Sequence, residues 1–199
     1  FLLNDVQDRI DPFDNDAFRA NPMRLFAVVT DVLFGTADYL PVDDPVLDLP
    51  AVRASTSLPL MAPPVEIGTH FYLDGGVADS VPVEQVLDKA GYDRAVVVLT
   101  RERGFVKEPY DAQMLAAAQA RYSKYPYLID TLKTRHTRYN HQREHIWCYE
   151  KDGRALVVCP PKPVEVAQLE HNGEKLLELY IEGRAEAQGM LNQIREFTA

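Results

Sequence analysis

The chain has 199 residues, a net charge of −9 and a pI of about 5.0, with 46% apolar and 26% charged residues. It is long enough to bury a real core, and its acidic balance excludes a binder of phosphate backbones, which needs a basic footprint. No apolar run approaches the roughly 18 residues of a membrane span. Two cysteines, Cys148 and Cys159, without a CxxC or Cys/His cluster, exclude a disulfide scaffold and read as reduced, mostly buried thiols.

In chain order, residues 1–22 are loop-rich, broken by Asp11-Pro12, Asp14-Asn15 and Asn21-Pro22. The opening "FLLNDVQDRIDPF" lacks a Met and reads like the interior of a longer protein. "RLFAVVTDVLF" (24–34) is almost continuously apolar, as a buried strand is. After Gly35, "ADYLPV" (37–42) returns as a second strand. Asp48 caps a short helix over 49–57, with Pro50 tolerated in its first turn. Residues 58–68 carry too much proline to be regular, and 69–73 form a strand.

Pro82 opens a helix over "VPVEQVLDKAG", with Val83, Val86, Leu87 and Ala90 on its apolar face and Gly91 at its stop. "RAVVVLT" (94–100) reads as a central parallel strand. Strand, helix and strand in about 30 residues make a βαβ unit and hence an α/β sheet covered on both faces. Residues 109–151 read as helix, with Tyr125, Leu132, Tyr139 and Ile146 recurring every seven positions. A buried strand follows at 154–160, and then one or two amphipathic helices over 172–197, interrupted at Gly183 and Gly189.

The stretch "HFYLDGGVADSVPV" (70–83) carries the chemistry. Asp-Gly after an apolar run is a hairpin-turn signal, because glycine accepts φ > 0. Against that reading, the run after Gly76 enters a helix, which leaves Asp74 at the carboxyl end of a strand in an α/β sheet. That edge is where such sheets place ligands and catalytic groups, and bare glycines let backbone and substrate approach a carboxylate closely.

"FYLDGGVADSVPV" resembles the Asp-Gly-Gly block of the patatin-like phospholipases. "NPMRLFAVVTDVLFGTADYL" (21–40) and "AVRASTSLPLMAPPVEI" (51–67) resemble the segments that precede that block, and "YDRAVVVLTRERGF" (92–105) the strand that follows. "RYSKYPYLIDTLKTRHTRYN" and "VCPPKPVEVAQLE" resemble the C-terminal extension of a bacterial, cytoplasmic subgroup, so the likeness covers nearly the whole chain. It implies an α/β fold with a mainly parallel sheet sandwiched by helices, incomplete here, and a mostly helical extension. Residues 1–104 are then the C-terminal part of the catalytic domain, and 105–199 the extension with one added strand. It also implies a lipid acyl hydrolase using a Ser–Asp dyad without metal or cofactor, and at most peripheral membrane contact. Asp74 matches the dyad aspartate, Gly75 and Gly76 match the family glycines, and Asp79 stands where many members carry Asn.

The chain departs from the family in lacking the nucleophile. None of its ten glycines brackets a serine as Gly-x-Ser-x-Gly, and the glycine-rich oxyanion loop is absent as well. In the family both precede the point where this chain begins. The expectation is therefore a fragment, inactive alone, whose partner is an N-terminal segment bearing the serine. Ser55, Ser57 and Ser80 lie nearest in sequence to Asp74, but none sits on a strand–turn–helix elbow.

Two other features carry rival readings. "HQREH" (141–145) fits His-x-x-Glu-His, the signature of a metal hydrolase. Its histidines lie on the helix face away from Tyr139 and Ile146, and no third ligand stands among the residues that follow. A solvated face with no metal is the expectation. The basic stretch 133–145, with Lys133, Arg135, Arg138 and Arg143, reads as a solvated face or as a docking strip for anionic lipid head groups. The remaining alternative for the whole chain is a non-catalytic lipid-binding or interaction module.

Overall fold

The computed structural model describes residues 9–167 and 169–199, so the part of the loop-rich start that falls on 1–8 lies outside the described residues. The described residues form two compact units, each drawing on both halves of the chain: one within 1–81 and 108–139, the other within 82–107 and 140–199.

The first unit is built on a four-stranded antiparallel sheet. Strands β1 (Leu25–Asp31), β2 (Ala37–Val42), β3 (Val65–Ile67) and β4 (His70–Asp74) lie in the order β2-β1-β4-β3. The expected pairing of β1 with β2 holds, from Leu25↔Val42 to Thr30↔Ala37. β4 lies between β1 and β3, with Val29 opposite Asp74 and Val65 opposite Tyr72. β3 falls in the proline-rich stretch that offers no alternation to read.

Helix α1 (Asn15–Ala20) was also not anticipated; the Asp14 side chain caps it by accepting from the Ala17 N–H. Helix α2 (Leu49–Ser55) forms where expected, with Pro50 in its first turn. The Asp48 carboxylate does not cap it, however. It accepts instead from the preceding Asp43 and Asp44 N–H groups, each at 2.9 Å.

The stretch read as one helix over 109–151 is two, α3 (Ala112–Arg121) and α4 (Pro126–Lys151). Pro126 explains the break. It restricts Tyr125 to non-helical backbone and then serves as a ready first helical residue. The seven-residue repeat on α4 does mark its packed face, since Leu132, Tyr139 and Ile146 are buried. Leu128 and Leu132 join Val32, Leu73, Val77, Ala118 and Tyr122 in the main core of the first unit.

Residues of α4 from Asn140 onward belong to the second unit. There β5 (Ala95–Val98) pairs in parallel with β6 (Ala155–Val158), from Ala95↔Ala155 to Val98↔Val158. The class is thus α/β with a mixed set of strand pairs, and parallel pairing among the described residues is confined to β5–β6. The βαβ reading is corrected here. β5 takes β6 as its partner, and Val98 is largely exposed, so β5 is not the central strand its apolar sequence suggested. A π-helical segment, Gln85–Lys89, occupies the expected helix after Pro82, with Leu87 buried. The C-terminal residues form α5 (Gly173–Gly189), capped by Asn172 and continuous through Gly183, and α6 (Leu191–Thr198). Both cysteines are free, but Cys148 is exposed and Cys159 half-buried, so neither is the buried thiol expected.

Candidate active site

Asp74 is the last residue of β4, and the chain turns immediately into a single 3-10 turn, Gly75–Val77. The half-buried Asp74 carboxylate caps that turn: its Oδ1 accepts from the Gly76 N–H at 2.7 Å. The backbone of Asp74 is fixed on both sides. Its N–H donates to the Ser57 carbonyl at 2.9 Å, and its carbonyl accepts from the Thr30 hydroxyl at 2.8 Å. Thr30, fully buried on β1, also accepts from the Ala78 N–H at 3.1 Å. One hydroxyl thus bonds the residue before the turn and the residue after it. The chain beyond Gly76 does not return as a strand, and neither Gly75 nor Gly76 has a positive φ.

The two glycines have separate physical reasons. A Cβ on Gly75 would lie 2.2 Å from the Val28 carbonyl oxygen, so the turn packs directly on the β1 backbone and admits no side chain. A Cβ on Gly76 would lie 2.9 Å from Asp74 Oδ1, crowding the carboxylate itself.

Helix α4 holds the outer side of the turn. Arg135 Nε donates to the Gly76 carbonyl at 2.8 Å, and its Nη1 donates to the Tyr110 hydroxyl at 2.5 Å. Arg138 Nη1 donates to the Val77 carbonyl at 3.2 Å, and burial lowers its pKa against the opposing field of Asp79. The Asp79 carboxylate accepts from the Tyr39 hydroxyl. The solvated-face reading of the basic stretch is corrected at Arg135 and Arg138 by these contacts. Arg143 is buried as well, donating to the Glu102 and Arg103 carbonyls at 2.5 and 2.9 Å. A guanidinium offers five donors in a rigid fork, and these arginines spend them on loop carbonyls; Lys133 is the exposed member, near Asp130 at 3.3 Å.

The serines are occupied elsewhere. Ser57 Oγ donates to the Arg53 carbonyl at 2.8 Å, and Ser80 Oγ donates to the Gly76 carbonyl at 2.7 Å. Ser55 ends α2. None is presented on an elbow between strand and helix.

Residues 7–87 match the patatin-like phospholipase family. The segment that carries the Asp-Gly-Gly turn is patatin-like. That family consists of lipid acyl hydrolases, and the match covers β1 to β4, the turn and the π-helical segment's start. Residues 125–199 match a domain of unknown function, DUF6363, and no curated protein matches the chain. Arg135 and Arg138 therefore come from the second matched segment while gripping the turn of the patatin-like one. Sequence reading marked both arginines only as part of a basic stretch and did not single out Thr30 or Tyr110, because nothing local in a sequence reports which carbonyl a distant side chain will meet. Among the described residues, no helix is long and apolar enough to cross a membrane.

Proposed function

We propose that Asp74 is the general base of a Ser–Asp dyad that hydrolyses carboxylic esters of lipids. The observation that carries this reading is the placement of Asp74: a half-buried carboxylate at the end of β4, held by the Gly76 N–H in a patatin-like segment. An unperturbed carboxylate, with a pKa of roughly 4, is a weak base. It becomes effective when fixed at hydrogen-bond distance from the hydroxyl it serves. The bond the Asp74 N–H donates to Ser57, and those Asp74 accepts from Thr30 and Gly76, hold the residue in place for that role.

In the dyad, the serine oxygen attacks the ester carbonyl as its proton passes to the Asp74 carboxylate. Collapse of the tetrahedral intermediate breaks the ester C–O bond, and the proton goes to the departing alcohol. Water then attacks the acyl-serine, giving its proton to Asp74, and the carboxylic acid leaves as the serine oxygen recovers a proton. With no Gly-x-Ser-x-Gly in these 199 residues, the serine and the oxyanion donors are contributed from outside them, and this chain alone is inactive. The subgroup resemblance supports a cytoplasmic setting and a reaction that needs no cofactor.

The test is ester hydrolysis by the full-length enzyme. Asp74→Asn keeps the size and the turn and removes the proton acceptor, so the rate should fall at least about a hundredfold with folding intact. Asp79→Asn should change it little. A folded Asp74→Asn enzyme with unimpaired turnover would reduce Asp74 to a turn residue.

A further inference from the structure

The second unit contains a cluster that the ester chemistry does not use. His141 and His145 sit four residues apart on α4, and their rings approach to 4.0 Å between centroids. Glu84, just before the π-helical segment, brings its carboxylate Oε1 against His145 Nδ1. One ligand-type atom from each of the three residues lies within 4.8 Å of those of the other two. The third donor, missing from the sequence after the histidine pair, comes from 57 residues before it.

We propose that Glu84, His141 and His145 form a binding site for a divalent transition-metal cation, with zinc the best match to the donors. Two imidazoles and a carboxylate are a common zinc set, and i,i+4 histidines present their rings to one ion. Tetrahedral zinc with bonds of about 2.0–2.2 Å holds its donors roughly 3.4 Å apart. The observed spread closes to that by small side-chain rotations, which the exposed rim permits, His145 and Glu84 being 39% and 42% exposed at their side chains. Asp88, on the same segment as Glu84, is engaged elsewhere, accepting from Tyr149 and Arg154. Glu144, the would-be general base of a His-x-x-Glu-His hydrolase, is exposed and outside the cluster. An ion held there would tie the segment after Pro82 to the second half of α4 through three protein ligands.

A plain ion pair between His145 and Glu84 is the competing account, and it gives His141 no part. The test is calorimetric titration of the chain with zinc, in parallel with His141→Ala, His145→Ala and Glu84→Gln. The proposal expects one-to-one binding that weakens at least about tenfold in each variant, and an upward shift of Tm on adding zinc that each variant loses. Cobalt substitution should give visible bands without a thiolate-to-metal band, separating this site from Cys148 on the same helix. Absence of saturable binding, binding unchanged by His141→Ala, or a thiolate band in the cobalt form would overturn it.

Discussion

The two halves of α4 look alike in sequence, both dense in cationic and titratable side chains, yet they do different things. In the first half, Arg135 and Arg138 spend their donors on the carbonyls of Gly76 and Val77. In the second half Arg143 does the same for the carbonyls of Glu102 and Arg103, but His141 and His145 also bring ligand-type atoms within 4.8 Å of each other and of the Glu84 carboxylate. The difference follows from donor chemistry. A guanidinium has no lone pair to give and can only satisfy acceptors, so where it meets a turn it becomes a brace. Imidazole has a lone pair, so two of them beside a carboxylate make a ligand set.

That contrast can be broken at several points. The largest effect is expected at the turn the arginines brace. Gly75→Val drives a branched side chain into the Val28 carbonyl and should cost about 3 kcal/mol or more in denaturant unfolding, with activity of the full-length enzyme lost alongside. Arg135→Met comes next. It removes donors from Gly76 and Tyr110 while keeping much of the apolar stem, and should cost about 1–2 kcal/mol. The Gly76 carbonyl retains its bond from Ser80, which limits the loss. Lys133→Met, on the same helix but exposed in its pair with Asp130, should change stability by less than about 0.5 kcal/mol. Equal effects at Arg135 and Lys133 would remove the distinction between brace and surface.

The smallest effect is electrostatic and lies away from α4. The Leu47 N–H, then the Arg19 side chain, then the Val46 N–H hold the Asp44 pKa down from 3.8 to about 2. A depressed folded pKa gives stability that is present above the unfolded value and is lost as pH falls through the folded one. Asp44→Asn should therefore flatten the acid limb of a stability curve between pH 3.8 and about 2 by removing a small, partly solvent-screened contribution that the parent has at neutral pH. An acid limb identical to the parent's would show that Asp44 contributes nothing there.

How far the sequence could be read depended on whether a signal was local. Asp74, the two glycines and the strand that presents them are contiguous, so "FYLDGG" was enough to locate them. The β1–β2 hairpin was legible for the same reason, its two runs flanking Gly35. The partner of β5 was not, because β6 lies some 60 residues on and an all-apolar strand says nothing about which neighbour it takes. The basic stretch misled because four cations at helical spacing look the same whether they face water or carbonyls. Glu84 was invisible as a metal donor, since its relation to His141 and His145 exists only once the chain has folded.

The central claim is that Asp74 serves a serine, and covalent labelling tests it most directly. The full-length enzyme should react with a fluorophosphonate ester at one serine, found by peptide mass spectrometry within a Gly-x-Ser-x-Gly outside these 199 residues. Asp74→Asn should slow that labelling by at least about a hundredfold while its circular dichroism stays that of the parent. Labelling of Asp74→Asn at the parent's rate, or of Ser55, Ser57 or Ser80 in its place, would contradict the account.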